Sequence, residues 1–210
     1  MKELNRRTVL AGAAALPALT LAVSALAQDA VSEADLLVAG PLGDKALGDD
    51  NAPVTIVEYA SMTCPHCGRF HRQTWAPLKQ KYIDTGKVRF IFREFPLDAS
   101  AFAVAMLARC APANRFFDII DLYFTTQDAW LQSQDRYNAL LDLAKRVDFS
   151  KESFDACLAN QALFEGLDEV KNRGARKFGI TGTPTFFING IKAVGALSLE
   201  EMESYIQPQL

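Results

Sequence analysis

Val54-Thr55-Ile56-Val57-Glu58-Tyr59-Ala60-Ser61-Met62-Thr63-Cys64-Pro65-His66-Cys67-Gly68-Arg69-Phe70 runs from an apolar segment into a Cys-x-x-Cys. Val54 to Ala60 is dense in β-branched and aromatic residues, the chemistry of a strand. Pro65 suits the first turn of a helix, where its missing N–H would go unpaired anyway. A strand that feeds a helix through Cys-x-x-Cys sets Cys64 at the helix N-terminus, where unpaired N–H groups and the macrodipole favour negative charge. Cys64 is therefore expected as the exposed, thiolate-prone sulfur. Cys67 lies one turn further in, and Phe70, Thr74 and Leu78 continue its face at helical spacing, which predicts a buried partner sulfur. His66 adds a second bias, because an imidazolium or N–H donor beside Cys64 favours the thiolate. A stabilised reduced form makes such a disulfide a better electron acceptor.

Glu58 stands six residues before Cys64, inside the apolar strand. Alternation places it on the face of Val54, Ile56 and Ala60, beneath the Cys-x-x-Cys helix, where a carboxylate could take and return the Cys67 proton. The alternative is a strand-end Glu turned to solvent.

Working outward, Lys87 to Phe95 reads as a second strand, and a short edge strand is expected near Lys45 to Gly48. From Pro96 to Gly179 the pattern is helical for about eighty residues, with segments near Ala99–Cys110, Phe116–Thr125, Arg136–Val147, Lys151–Leu158 and Glu165–Phe178. Ser150 is the expected N-cap of the fourth, with Phe149 and Phe154 at the staple positions. Strand signals return at Thr185 to Ile188. Asn189-Gly190 then predicts a tight hairpin into Ile191 to Val194, and Leu197 to Ile206 a closing helix. The order is β-α-β, a helical block, then β-β-α. The expected division is a lead-in over 28–43, an α/β domain over 44–97 and 179–210, and a helical insertion over 98–178.

The chain has 210 residues, half of them hydrophobic, with 22 Lys and Arg against 25 Asp and Glu. That is ample for one packed domain carrying an insertion, and the 14 Phe exclude a disordered chain. Without basic clusters, nucleic acid is excluded as a main partner. Met1 to Ala27 opens on Lys2, Arg6 and Arg7, runs apolar from Val9 to Leu26 and ends Ala25-Leu26-Ala27, a small-x-small cleavage pattern. It reads as a signal peptide, an uncleaved anchor being the alternative, and Arg6-Arg7 leaves the Sec and twin-arginine routes both open. Its removal leaves 19 basic residues against 24 acidic ones. The cysteines would then sit where disulfides persist, as in a bacterial periplasm.

Other uses of the cysteines fit less well. Zinc could take Cys64, Cys67 and His71, but a closed structural site wants a fourth ligand at similar spacing, and Cys110 and Cys157 are far away in sequence. Haem attachment needs His directly after the second cysteine, where this chain has Gly68. A purely structural bridge between residues three apart would constrain the unfolded chain little. Cys110 and Cys157 lie in amphipathic segments, and an oxidising compartment favours a structural disulfide between them. Two unpaired cysteines packed as small hydrophobes are the alternative.

Taken together, Glu58 six residues before the first cysteine, Cys64-Pro65-His66-Cys67, Thr183-Pro184 ahead of an Asn-Gly hairpin, and the helical insertion resemble the thioredoxin superfamily. Within it they resemble the DsbA-like thiol:disulfide oxidoreductases, over the chain from about Asp44 to the C-terminus. The resemblance implies a thioredoxin fold interrupted by a helical insertion, with Pro184 cis and facing the Cys-x-x-Cys. It implies that the Thr183 backbone docks an extended substrate segment, and that Cys64, Cys67, His66 and Glu58 carry the chemistry. Reduced or unfolded exported proteins would be the substrates, a DsbB-like quinone-linked membrane oxidase the reoxidising partner, and no metal or organic cofactor is called for. Two rivals stand beside this periplasmic oxidase. Thr183 resembles the residue that disulfide isomerases carry there, so an isomerase or reductase is the enzymatic alternative. Those enzymes commonly oligomerise through an N-terminal extension, and the sixteen residues before Asp44 carry no heptads, which favours a monomer. A non-catalytic chaperone or metal-binding module is the rival from another class.

Overall fold

The computed structural model describes residues 31–210, so the expected signal peptide lies outside the described residues. Five strands form one mixed sheet: β1 (Lys45–Leu47), β2 (Val54–Ala60), β3 (Val88–Glu94), β4 (Thr185–Ile188) and β5 (Ile191–Val194), in the order β1-β3-β2-β4-β5. β2 and β3 run parallel, Val54 opposite Val88 through Ala60 opposite Glu94, and the other pairs are antiparallel. Parallel neighbours need a crossover, and the helix that follows Cys64 supplies it.

Both faces of this sheet are covered. Val54, Ile56 and Ala60 of β2 join Phe90 and Phe92 of β3 and Phe186 and Ile188 of β4 in the larger core, whereas Val57, Tyr59, Ile91 and Phe187 enter a second core with Phe178 and Ile180. A period of two therefore sorts the strand as expected, and Glu58 falls on the face of the larger core.

The lead-in does more than the sequence foretold. It contains a short helix, α1 (Glu33–Leu36), and Arg93 of β3 anchors it by donating to the Leu36 carbonyl at 2.7 Å while pairing with Asp44 at 2.9 Å. No local periodicity signals this, because the segment is held by partners far along the chain.

After Cys64 come α2 (Pro65–Phe70), a π-helical turn at His71–Trp75, α3 (Ala76–Leu78) and a second π turn at Lys79–Ile83. The sequence predicts a helix from Pro65 with Cys67, Phe70, Thr74 and Leu78 along one face, and does not foretell the π turns. Pro77 has no N–H to offer the preceding turn and its ring crowds the carbonyl there, and a wider turn relieves both. The first π turn buries His71, Thr74 and Trp75 against the sheet.

The block between β3 and β4 comprises α4 (Ala99–Cys110), α5 (Phe116–Thr125), α6 (Gln127–Leu131), α7 (Arg136–Lys145), α8 (Lys151–Leu158) and α9 (Gln161–Phe178). α4, α5 and α8 coincide with the expected segments at both ends, and α7 ends two residues early, at Lys145. α9 starts four residues earlier than expected, at Gln161, because the Asn160 side chain caps it, and α6 was not foreseen. Ser150 caps α8 in a reciprocal box with Ser153, and Ser198 with Glu201 does the same for the closing helix α10 (Leu199–Ile206). Asn189 and Gly190 both have positive φ, as the tight hairpin between β4 and β5 requires.

Cys110, the last residue of α4, and Cys157 of α8 are bonded, with Cα atoms 6.1 Å apart across 47 residues of chain. Converting both to Ala is expected to lower stability by up to about 4 kcal/mol on the loop-closure model. Denaturant unfolding measures the loss. Two free thiols titrated in unfolded, unreduced protein, beside an intact Cys64–Cys67 bridge, would overturn the pairing.

Candidate active site

Cys64 occupies the N-cap of α2 with extended backbone, and its carbonyl accepts the first intrahelical bond, from Gly68 N at 3.1 Å. Both Cys64 and Cys67 are free thiols. Cys67 is 0% exposed and Cys64 only 6%, so the first sulfur is less open than expected. The cause is tertiary: the Thr183-Pro184 peptide is cis, as the resemblance implies, and the Thr183 carbonyl covers the Cys64 thiol, which donates to it at 3.1 Å.

The two sulfurs are strongly unlike. The Cys64 thiol is pulled down to about 5, chiefly by the hydrogen bond from the Cys67 thiol; burial opposes this, and the Thr183 hydroxyl and the backbone N–H groups of Cys67 and His66 add to it. That hydroxyl is buried and has no other partner, which leaves it free to donate to a thiolate. Burial pushes the Cys67 thiol well above the ordinary range, and its bond to Cys64 and the charge of Glu58 push it further.

His66 departs from expectation. Its Nδ1 lies 2.9 Å from Arg69 Nη2, so the ring turns toward Arg69, whose guanidinium can only donate. In this arrangement His66 reaches Cys64 through its backbone N–H instead of through its ring.

Glu58 is 0% exposed beneath α2, as alternation predicted. One carboxylate oxygen lies 3.4 Å from His71 Nε2, and the other has no hydrogen-bond partner. His71, weighed in the sequence only as a zinc ligand, pairs instead with Glu58 and, on its other nitrogen, with Asp121 at 3.6 Å. Among the described residues no group of three or more His, Cys, Asp or Glu is placed to hold a metal ion.

Gln127 is the residue that sequence reading missed. Its Nε2 donates to the Met62 carbonyl at 2.8 Å and the Cys64 carbonyl at 2.9 Å, so α6 of the helical block holds the loop that presents Cys64. Gly68 permits this, since a Cβ there would collide with the Gln127 side chain. A lone Gln at the start of a five-residue helix carries no local signal of such a contact.

A mixed sheet interrupted by a helical block, with a low-pKa cysteine at a helix N-terminus, a buried partner cysteine and a cis-proline loop against them, defines a thioredoxin-fold dithiol protein. A family model described as Thioredoxin matches residues 42–208. The crystal structure of alpha-DsbA1 from Wolbachia pipientis superposes with a TM-score of 0.77 at 33% identity, covering 85% of this chain and 96% of that one. A protein-disulfide isomerase from Novosphingobium aromaticivorans gives 0.70 at 26% identity, covering 81% and 98%. A Rickettsia conorii protein, provisionally named a protein-disulfide oxidoreductase, is 33% identical over 168 residues, 80% of this chain and 60% of the relative. The chain spans less than two thirds of the length of the first curated relatives it matches. It belongs to the thioredoxin superfamily and, within it, to the DsbA-like proteins.

Proposed function

We propose that the chain is a periplasmic thiol:disulfide oxidase that donates its Cys64–Cys67 disulfide to reduced or unfolded exported proteins. The observation that carries this reading is the inequality of the two sulfurs, one stabilised as a thiolate and the other held as a buried thiol. A substrate thiolate attacks Cys64 Sγ, the Cys64–Cys67 bond breaks, and its electron pair goes to Cys67, which takes a proton. A second substrate thiolate then attacks the mixed disulfide, and Cys64 departs as a stable thiolate. The substrate gains a disulfide and the active-site pair is reduced by the same two electrons. A reduced form stabilised at Cys64 drives the transfer outward. Thr183, with its carbonyl at the Cys64 sulfur, is the docking point for an extended substrate strand.

Residues 1–27 support export, and no helix among the described residues is long and apolar enough to cross a membrane. A DsbB-like membrane partner would return the electrons to quinone, and the protein acts as a monomer. The second reading is an isomerase or reductase, favoured by Thr183 and by the name of the Novosphingobium relative.

Acid-quenching cells and alkylating free thiols reports the redox state of Cys64–Cys67 in the exported protein. A mostly oxidised pair is expected, and a mostly reduced pair would replace the oxidase with the isomerase or reductase. Failure of the purified protein to oxidise a dithiol peptide would turn the assignment to a non-catalytic chaperone or metal-binding module, which a metal assay on the reduced protein would then separate.

A further inference from the structure

Resting on the exchange chemistry proposed above, we propose that Glu58, His71 and Asp121 form a proton path joining the buried Cys67 sulfur to solvent, with His71 as its shuttle. Each half of the exchange cycle moves a proton on or off Cys67, which has no exposure of its own. Glu58 is equally buried, so a proton held there must itself come from somewhere.

The structure sets these groups in sequence from the sulfur to the surface. The charge of Glu58 acts directly on Cys67, and its oxygen without a hydrogen-bond partner is free to serve that sulfur. Its other oxygen is 3.4 Å from His71 Nε2, and His71 Nδ1, itself buried without a hydrogen-bond partner, faces Asp121 Oδ1 at 3.6 Å. The Asp121 side chain is 48% exposed and borders an open cavity of about 450 Å³. The imidazole itself is buried, stacked on Phe124 at 4.1 Å and flanked by Trp75, Phe70 and Phe92. The ionisable groups around it are Glu58 from β2, Cys67 from its own helical run and Asp121 from α5. Asp44, Lys45, Lys79 and Asp118 stand around the cavity beyond Asp121. Burial favours the neutral ring, but the two carboxylates outweigh it and keep His71 able to hold a proton.

Imidazole can accept a proton at one nitrogen while releasing one from the other. When the disulfide opens, the Glu58 carboxylate takes the Nε2 proton of His71 and passes it to the Cys67 sulfur, while Nδ1 accepts one arriving through Asp121. When the disulfide re-forms, Cys67 gives its proton back to Glu58, Glu58 returns one to Nε2, and the Nδ1 proton leaves through Asp121. The two halves run in opposite directions, so the buried ring is reset each cycle without having to flip. His71 acts through Glu58 and is thus a positioning and relay residue. Asp121 is the port.

The test uses a water-soluble phosphine as reductant, which opens the Cys64–Cys67 disulfide whatever the natural client is. Reduction rates are followed against pH in the wild type, His71→Gln and Asp121→Asn. The relay predicts a fall on the order of 10²-fold at neutral pH for His71→Gln, the lower end of general acid–base effects, with a changed pH profile. Asp121→Asn should slow the reaction several-fold and recover in proportion to added imidazole buffer, which can enter the open cavity. A purely structural role would show no buffer dependence. Should His71→Gln fail to fold, the surface change at Asp121 decides alone. A wild-type rate and pH profile in Asp121→Asn, insensitive to buffer, would overturn the relay. A dithiol peptide assay on the wild type, run in parallel, reports separately on the exchange reading.

Discussion

Cys67→Ser is expected to leave Cys64 able to attack but unable to be released, so that clients accumulate as mixed disulfides on Cys64 and turnover falls by orders of magnitude. Cys64→Ser should abolish turnover as well, but with few adducts. The asymmetry follows from position. Cys64 sits at the helix N-cap beneath the Thr183 carbonyl, with a pKa near 5, whereas Cys67 is wholly buried and held as a thiol. A thiolate on the N-cap is both the better nucleophile at neutral pH and the better leaving group. Non-reducing electrophoresis of the two variants after expression with their natural clients reads the outcome, and a reversed trapping pattern would assign the nucleophile to Cys67.

A second large effect is expected in stability. Cys64 is an acid whose pKa falls from 9.0 in the unfolded chain to about 5 in the folded reduced protein. Its contribution is thus fully present only above pH 9, and it is lost as pH falls from 9 through 5. At pH 7 the gain is about 3 kcal/mol before solvent screening at the mouth of the site and about 2 kcal/mol after it, taking 1.36 kcal/mol per pKa unit. Above pH 9 the raised Cys67 works in the opposite sense, because the unfolded chain then releases a proton that the folded one retains. The oxidised protein has neither titration. Groups present in both forms, His71 among them, largely cancel when the two are compared. Denaturant unfolding of reduced and oxidised protein should therefore give a stability difference that moves in favour of the reduced form between pH 5 and 9, and a difference flat across that range would contradict it. The same thiolate links to the redox potential at about 30 mV per pKa unit, which makes His66→Ala informative. A raised Cys64 pKa with a matching fall in potential would assign the bias to the imidazole. No change in either would leave it with the backbone N–H of residue 66, which the variant retains.

The physics that made parts of the molecule legible is local. Strand alternation put Glu58 on the buried face, helical spacing put Cys67 inward, Asn189-Gly190 announced its hairpin, and Ser150 announced the start of α8. Each of these depends on neighbours within a few residues along the chain. The helical insertion was legible for the same reason, since its amphipathic segments declare their own buried faces.

What stayed hidden depends on partners far away in sequence. The covering of Cys64 comes from Thr183, the anchoring of its loop from Gln127, and the pairing of His71 from Asp121 on α5. The π turn after Phe70 also belongs here, because Pro77 in the sequence signals a disturbance of the helix but not the form it takes. Read alone, the chain fixed which cysteine heads the helix and which lies a turn inside it, which strand carries the carboxylate beneath them and the order of elements that encloses them. Long-range folding set how open the first sulfur is, which way the His66 ring turns and which groups stand between the buried carboxylate and the surface. Periodicity and capping are properties of contiguous residues, whereas hydrogen-bond partners and burial are set when α5, α6 and the Thr183-Pro184 loop close over one helix end.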